Sequence, residues 1–174
     1  MPLIARRIAH DLRLLIIAGM LGHAMTGHAA ESKFDFGTGE TQPGYTRVTP
    51  QTAYIANRGF GFLNDGVAAP GKLSVFAVDV EEGNYDVTIR FGAPTNSTST
   101  TIKAESRRLM VERVETAAGT FETRTFTVNV RKPRISTGGK TLLNSRELGP
   151  PATPDWDDHL TFEINGKHPG VATM

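Results

Sequence analysis

The sequence predicts an all-β domain of the β-sandwich type, and three observations lead to this fold class. Short segments in which apolar and polar residues alternate with a period of two recur along the chain. Glycine and proline residues, 18 and 10 of them in 174 residues, separate these segments as turns. No long stretch carries the period of an amphipathic helix, which argues against helices as the main elements.

The segment Phe76–Phe91 carries the clearest alternation. Apolar side chains occupy the even positions from 76 to 80 and the odd positions from 85 to 91, on either side of Glu81-Glu82-Gly83. This pattern predicts two half-buried antiparallel strands joined by a hairpin-like turn. The short connection shifts the apolar residues from even to odd positions. The apolar faces of both strands can then meet one core.

Shorter elements of the same kind are expected on both sides of this pair. Phe60 and Phe62 alternate with glycine, and their rings are expected to reach the core from an irregular segment. Asn165-Gly166 is a strong hairpin signal. The predicted strands are residues 33–37, 45–49, 126–130 and 160–164, and a closing strand begins at Val171.

The segment Lys103–Thr116 gives conflicting signals. It is rich in Ala, Glu, Arg, Leu and Met, and helix propensity alone predicts a helix. Its apolar positions instead alternate, with a change of parity that implies a β-bulge near Arg107-Arg108. We therefore predict a strand here, with the helix as the alternative.

The N-terminus has the composition of a secretory signal peptide. Three arginines precede the apolar run Leu14–Leu21, and the small residues Gly27, Ala29 and Ala30 follow it. The run is shorter than the roughly 20 residues that span a bilayer, although an uncleaved anchor is an alternative. We predict a signal peptide over residues 1–30, cut after Ala29 or Ala30, and a single β-sandwich domain over residues 31–174. The mature protein is then secreted or periplasmic.

Charge and cysteine content restrict the partners of this domain. The chain has 19 Lys and Arg and 18 Asp and Glu, and residues 1–29 contain three arginines and one aspartate, which leaves 16 basic and 17 acidic residues. Such a near-neutral domain lacks the overall basic charge of a nucleic-acid-binding protein, so neither a nucleic acid nor, after signal removal, a membrane is expected as a partner. The chain has no cysteine, so its core has to hold the fold without disulfides.

Five stretches occur in the chain in this order: FDFGTGETQPGYTRVTP, FAVDVEEGNYDVTIRFG, TIKAESRRLMVERVET, FETRTFTVNVR and DWDDHLTFEING. Together they resemble the N-terminal β-sandwich that precedes the catalytic domain of rhamnogalacturonan acetylesterases, which are secreted GDSL/SGNH-type esterases acting on acetylated pectin. The resemblance extends from about Phe34 to Met174. It implies a galactose-binding-like jelly roll, and it supports a strand for Lys103–Thr116.

The catalytic residues of that family have no counterpart here. In the family this domain is followed by a hydrolase domain that opens with a Gly-Asp-Ser nucleophile motif, and this sequence contains neither Gly-Asp-Ser nor a G-x-S-x-G elbow. The interval from Asp155 to His159 is one residue too long for the Asp-x-x-His pair of such esterases, and Trp156 stands where that Asp would be needed. We therefore predict that the chain is not an enzyme.

Three functions remain open on these grounds. The first is an exported, non-catalytic accessory module that binds a plant cell-wall glycan of the pectin type or packs on a hydrolase. The second is a truncated fragment of a rhamnogalacturonan acetylesterase that lacks its SGNH hydrolase domain. The third is a structural or interaction module of the cell envelope.

The segment Asp155–His159 is the most prominent polar cluster, and it gives two candidate ligand residues, Trp156 and Asp157. An indole can stack on a pyranose ring, and clustered carboxylates suit a hard cation, so the cluster is a candidate site for a sugar or for structural Ca²⁺. Asp35, in the first strand, is a second candidate position for structural Ca²⁺. The alternative is that Trp156 packs under the sandwich edge while the aspartates are solvated.

Arg107 and Arg108 are two further candidate ligand residues. A guanidinium offers a planar fork of donors to a carboxylate such as that of a uronic acid. The alternative is an exposed strand face on which Glu105 and Glu112 are the cross-strand partners of these arginines. The sequence identifies no catalytic residue and no certain cofactor.

Overall fold

The computed structural model of the protein describes residues 31–63, 74–145 and 156–174, and the regular structure in these ranges is β-strand. The predicted signal peptide lies outside the described residues. No helix in the described ranges is long and apolar enough to cross a membrane. The strands are β1 (Phe34–Asp35), β2 (Thr46–Arg47), β3 (Phe60–Phe62), β4 (Ser74–Asp79), β5 (Gly83–Phe91), β6 (Thr98–Ala104), β7 (Arg108–Thr116), β8 (Glu122–Val130), β9 (His159–His168) and β10 (Val171–Thr173).

These strands form two five-stranded sheets, which confirms the prediction of an all-β domain with β-sandwich character. Sheet A has the strand order β2-β1-β10-β5-β8, and sheet B has the order β3-β4-β9-β6-β7. Strands β1 and β2 are parallel, and the other neighbouring strands are antiparallel. Because the two sheets each carry one apolar face, their inner faces can share one core.

The core is built by alternate residues of both sheets, as the period-two pattern requires. In β6, every second residue from Thr98 to Ala104 is buried, and in β5 the buried residues are Val87, Ile89 and Phe91. Burial of each large apolar side chain stabilises the fold by about 1.5–3 kcal/mol. The core therefore joins strands of both sheets without a disulfide.

An aromatic cluster around Phe76 anchors one part of this core. The Phe76 ring lies 5.1 Å from the rings of Phe34 and Phe36, 5.5 Å from Phe62 and 6.5 Å from Phe60, measured between centroids. Three of these pairs have the edge-to-face arrangement that the quadrupoles of aromatic rings favour. The prediction that the rings of Phe60 and Phe62 reach the core is confirmed.

The central pair, β4 and β5, is correctly predicted as two strands, but the hairpin between them is wrong. Strand β4 pairs with β3 and β9 in sheet B, whereas β5 pairs with β8 and β10 in sheet A. The short connection after Asp79 carries the chain from one sheet to the other. Alternation of apolar residues specifies which face of a strand is buried, and it does not specify the neighbouring strand, so both arrangements satisfy the same pattern.

The segment Lys103–Thr116 is extended, as predicted, but the expected bulge at Arg107-Arg108 is instead a turn between β6 and β7. Glu105, Ser106 and Arg107 have positive φ angles of 44°, 56° and 71°, and Arg108 begins β7. The backbone N–H of Glu105 donates to the carbonyl of Thr161 at 3.3 Å, which ties the turn to β9. A change of parity arises equally from a bulge and from a tight turn, so the sequence pattern cannot distinguish them.

The hairpin predicted at Asn165-Gly166 is also wrong, because β9 continues through these residues to His168. The pairing of β9 with β6 shifts between Thr101, which faces Asn165, and Ser99, which faces His168, so a bulge stands where the turn was expected. Gly166 has a φ of 141°. The change of direction comes later, where the N–H of Gly170 donates to the hydroxyl of Thr100 at 2.8 Å.

Candidate functional site

The four candidate ligand residues lie at one end of sheet B. Strand β9 begins at His159, opposite Asp79 at the end of β4, and residue 104 at the end of β6 faces Phe162. The segment 156–158 and the turn at 105–107 are therefore both at this end. Trp156 and Asp157 are half-buried, whereas Arg107 and Arg108 are exposed.

Trp156 is held against Arg131, which follows strand β8. The guanidinium carbon of Arg131 lies 4.5 Å from the centroid of the indole, so the cation covers one face of the ring. Trp156 also has a positive φ of 63°, which turns the chain toward β9. A stacked sugar would therefore have to use the other face of the indole.

Asp157 fixes the start of β9. Its Oδ1 accepts a hydrogen bond from the backbone N–H of His159 at 2.8 Å, and its Oδ2 lies 3.2 Å from Nδ1 of the imidazole. Nδ1 is buried, and its contact with Oδ2 does not have hydrogen-bond geometry despite the short distance. It is therefore a close polar contact without a hydrogen bond, while the backbone bond is a true hydrogen bond.

The other side of the His159 ring faces Tyr54 and Asp79. The Tyr54 hydroxyl donates to Oδ1 of Asp79 at 2.9 Å, and Nε2 of His159 lies 3.0 Å from the same hydroxyl oxygen. Burial raises the pKa of Tyr54, and the hydrogen bond to Asp79 and its negative charge raise the pKa further. The phenol therefore stays protonated at neutral pH, and it does not act as a nucleophile.

Lys132 links this cluster to the connection between β4 and β5. Its Nζ lies 2.5 Å from Oδ1 of Asp158 and 3.3 Å from Oε2 of Glu81. The hydrogen bond from Lys132 lowers the pKa of Asp158, and the same bond raises the pKa of Lys132. The carbonyl of Asp158 also accepts from the N–H of Val80 at 3.0 Å. Because Asp158 and Glu81 are solvent-exposed, these ion pairs position the segment more than they stabilise the fold.

No group of three or more His, Asp or Glu side chains in the described part of the chain is arranged to hold a metal ion. Asp79 and Asp157 contact opposite nitrogens of the His159 ring, so their oxygens do not converge on one point. Asp35 is buried and engaged elsewhere: its carboxylate accepts from the N–H of Gly37 at 2.8 Å and pairs with Arg47 at 3.4 Å. The calcium hypothesis thus finds no ligand set in the described ranges.

Arg107 and Arg108 form no ion pair or side-chain hydrogen bond with another described residue. Glu105, expected as a cross-strand partner, is 2 % exposed, and its Oε1 accepts from the N–H of Thr161 at 2.9 Å. Its carboxylate therefore lies against β9. The two arginines present their guanidinium groups to solvent beside a turn that the Glu105 carboxylate holds in place.

Sequence reasoning missed Tyr54, Asp79, Arg131 and Lys132. Tyr54 reads as part of a brief apolar element and Asp79 as the last outward residue of a strand. The two basic residues follow β8 and carry no motif. Only the polar cluster around His159 was visible, because its members are consecutive in the sequence.

Comparisons with known proteins give limited information. No family model and no curated protein matches the chain. Among solved structures, the crystal structure of protein YxiM from Bacillus subtilis is similar, with 21% sequence identity and a TM-score of 0.43. The alignment covers 79% of this chain and 41% of YxiM, so the chain spans less than half of that protein. A similarity at this level carries no inference about function.

Proposed function

We propose that the protein is an exported, non-catalytic accessory module with a galactose-binding-like jelly-roll fold, and that it binds a plant cell-wall glycan of the pectin type. The connections from β4 to β5, β5 to β6, β7 to β8, β8 to β9 and β9 to β10 all change sheet. Repeated crossing between two mainly antiparallel sheets is typical of jelly rolls, and this supports the finer fold assignment.

The observation that carries the binding proposal is the exposed pair Arg107 and Arg108 at the same end of sheet B as Trp156 and Asp157. Two guanidinium groups without a described partner are available to the carboxylates of an acidic glycan. A half-buried indole and a carboxylate nearby supply the stacking surface and the acceptor that sugar hydroxyls use. The resemblance to the accessory domain of rhamnogalacturonan acetylesterases supports the choice of pectin.

Binding is tested by calorimetric titration of the full chain with rhamnogalacturonan fragments. We expect the double variant R107Q/R108Q to bind about tenfold more weakly, which corresponds to about 1.4 kcal/mol. The matched control is R124Q, because Arg124 is also an exposed arginine but lies on β8 in sheet A. Absence of binding by the wild-type chain contradicts the function, and equal losses in both variants contradict the site.

The absence of catalysis is part of the same proposal. The sequence has no esterase nucleophile motif, and the phenol of Tyr54 is kept protonated by burial and by Asp79. We expect no hydrolysis of p-nitrophenyl acetate or acetylated pectin above a heat-denatured control. Turnover that disappears on substitution of a serine would contradict it.

The basic hairpin, residues 133–141, favours a second function, docking on another protein such as a hydrolase. Arg134 faces Lys140 across this hairpin. The hydrophobic side chain of Ile135 within it is 44% exposed, and that of Leu142, next to it, is 96% exposed. Exposed aliphatic groups next to cations are typical of protein-docking surfaces.

Docking is tested by co-expression with the product of the adjacent downstream reading frame. If that frame encodes an SGNH hydrolase, we expect co-purification with the wild-type chain and a loss of co-purification with L142D. The variant L109D is the matched control, because Leu109 is 54% exposed on β7. A downstream frame that continues this chain as a Gly-Asp-Ser domain would instead identify a truncated esterase.

A further inference from the structure

The outer face of sheet A carries polar side chains along the whole length of β5 and β8. The polar strip is defined as the even-numbered residues of β5 from Asn84 to Arg90 and the odd-numbered residues of β8 from Thr123 to Asn129. These side chains are exposed or half-buried, whereas the alternate residues of β5 from Val87 to Phe91 are buried in the core. Because β5 and β8 pair without a bulge, the strip is a continuous surface.

Side chains of the polar strip form hydrogen-bonded pairs across the two strands. The hydroxyls of Thr88 and Thr125 are 2.9 Å apart, the Thr127 hydroxyl donates to Asp86 at 2.6 Å, and the Asn129 amide donates to Asn84 at 2.8 Å. Each pair uses only part of its capacity, because one threonine hydroxyl of the first pair keeps its proton and Asn84 keeps both of its amide protons. The strip therefore holds positioned donors and acceptors that the hydroxyl groups of a ligand can still use.

An arginine stacked on an aromatic ring lies at each end of the β5–β8 pair. Arg90 is opposite Thr123, and its guanidinium carbon lies 3.7 Å from the centroid of the Phe121 ring. Arg131 follows the last residue of β8 and lies 4.5 Å from the centroid of the Trp156 indole. Neither arginine forms an ion pair or a side-chain hydrogen bond with another described residue. Stacking leaves the N–H groups at the edge of a guanidinium free for a carboxylate, although the Nε of Arg131 is buried, so its terminal nitrogens are the ones that can face a ligand.

The length and the charge of this surface select the class of ligand. Thr123 and Arg131 are eight residues apart along β8, which is about 27 Å for an extended strand. A disaccharide is too short to reach both arginines, so only an extended chain can contact both ends. Asp86 lies between the two cations and accepts only one hydrogen bond from the Thr127 hydroxyl. It would repel a ligand with a carboxylate at every position, and it can accept from the hydroxyls of a neutral sugar.

We propose that the polar strip, with Arg90 and Arg131 at its ends, binds a linear acidic polysaccharide in which sugars with a carboxylate alternate with neutral sugars. The two guanidinium groups bind carboxylates, and the hydroxyl and amide groups between them bind sugar hydroxyls. This surface belongs to sheet A, whereas Arg107 and Arg108 lie at the turn between β6 and β7 of sheet B. Only the choice of pectin as the source of such a chain rests on the function proposed above.

The test is calorimetric titration of the full chain with two linear polysaccharides that alternate acidic and neutral sugars, the rhamnogalacturonan backbone and hyaluronan. Each is supplied as a disaccharide and as an oligosaccharide longer than the strip. We expect at least one long chain to bind, and its disaccharide to bind at least about tenfold more weakly because it reaches one arginine only. R90Q and R131Q are each expected to weaken binding of the long chain about tenfold. The matched control is R124Q, which removes the same charge from β8, where Arg124 pairs with Glu122 at 2.5 Å, and should leave binding unchanged.

The variant T88V/T125V tests the strip between the arginines. It removes the two facing hydroxyls and keeps the shape of both exposed side chains. We expect it to weaken binding of the long chain about fivefold, and unchanged binding contradicts the proposal. This variant also decides the matter if R131Q disturbs the Trp156 segment and fails to fold, as judged by circular dichroism.

The two polysaccharides separate this inference from the function proposed above. If neither long chain binds, or if R90Q and R131Q bind as tightly as the wild type, the polar strip is overturned. Binding of hyaluronan alone, weakened by these two variants, supports the strip and contradicts the choice of pectin. Binding of rhamnogalacturonan that depends on Arg107 and Arg108 alone supports the function proposed above and overturns the strip.

Discussion

Glu105 is a buried acid whose role is structural, and its position explains the β6–β7 turn. Its Oε1 accepts from the backbone N–H of Thr161 at 2.9 Å and lies 3.3 Å from the hydroxyl of the same residue. Its backbone N–H donates in return to the carbonyl of Thr161. These contacts hold three consecutive residues at positive φ, a conformation that is costly for residues with a side chain.

We expect Glu105→Ala to lower the free energy of unfolding by about 1–3 kcal/mol, because it leaves buried donors of Thr161 without their acceptor. Urea denaturation measures the change. The control is Glu112→Ala, since Glu112 is an exposed acid on the neighbouring strand and its loss should change stability by less than about 0.5 kcal/mol. Equal effects of the two substitutions would show that the Glu105 contacts do not stabilise the turn.

Tyr54 gives the fold a sensitivity to alkali. Burial and the neighbouring Asp79 raise the pKa of Tyr54, so the folded protein holds the phenolic proton more tightly than the unfolded chain does. The stability that this residue contributes is complete below about pH 10, where a free phenol titrates, and is lost as the pH rises through the higher pKa of the folded state. We expect the melting temperature to fall less steeply above about pH 10 in Y54F than in the wild type. Parallel slopes would contradict this.

At the scale of single residues, the sequence reveals the site only where its members are consecutive. Trp156 and Asp157 are visible in one polar cluster, and Arg107 and Arg108 are visible as a pair. The hydrogen bonds of Tyr54 join residues 25 and 105 positions apart, so no local pattern records them. A site built by long-range contacts becomes visible only when the strand order is known.

At the scale of elements, the sequence predicts strands and buried faces but not strand neighbours. The alternation of β4, β5 and β8 identifies their core residues because a strand exposes alternate side chains to opposite faces. The alternation is the same whether the chain crosses to the other sheet after Asp79 or forms a hairpin there. It also does not distinguish a bulge at Gly166 from a turn. Turn signals such as Asn165-Gly166 report a backbone with positive φ, and a bulge needs such a backbone as much as a hairpin does.

Gly166 provides a direct test of the β-bulge between β9 and β6. A Cβ on this residue would lie 1.9 Å from the carbonyl oxygen of Ser99 on β6, and its φ of 141° is unfavourable for other residues. We expect Gly166→Ala to destabilise the protein by at least about 3 kcal/mol, because β6 and β9 would have to separate. Gly39→Ala is the control, since a Cβ there meets nothing within 4 Å. A chemical denaturation curve for G166A like that of the wild type would contradict the bulge.

The edge strands β7 and β8 differ in how well they are protected against pairing with another chain. Strand β7, at the edge of sheet B, pairs with β6 through two register shifts and carries the exposed charges Glu112 and Arg113. Bulges and charges blunt an edge against pairing with another chain. Strand β8, at the edge of sheet A, pairs with β5 without interruption over nine residues from Glu122 to Val130. The β7 edge is therefore better protected against pairing with another molecule than the β8 edge.

At the scale of the whole molecule, the ends of the domain are joined to each other. The backbone N–H of Phe34 donates to the carbonyl of Met174 at 2.7 Å, and the N–H of Met174 donates back to Phe34 at 2.9 Å. Strand β1 lies inside sheet A between β2 and β10, and the Phe34 ring packs on Phe76. Loss of β1 would therefore remove a core ring and uncover the edge of β10.

This arrangement limits where an export signal can be removed. A cut after Ala29 or Ala30, where small residues follow the apolar run, leaves β1 intact because this strand begins at Phe34. We expect the protein exported by a bacterial host to begin at Ala30 or Glu31 by mass spectrometry. Replacing Ala29 and Ala30 together by leucine should block processing, because the signal peptidase requires small residues there, while the same replacement at Ala117 and Ala118, in the exposed turn before β8, should leave it unchanged. A mature N-terminus beyond Phe34, or a chain retained with its apolar run intact, would contradict the predicted signal.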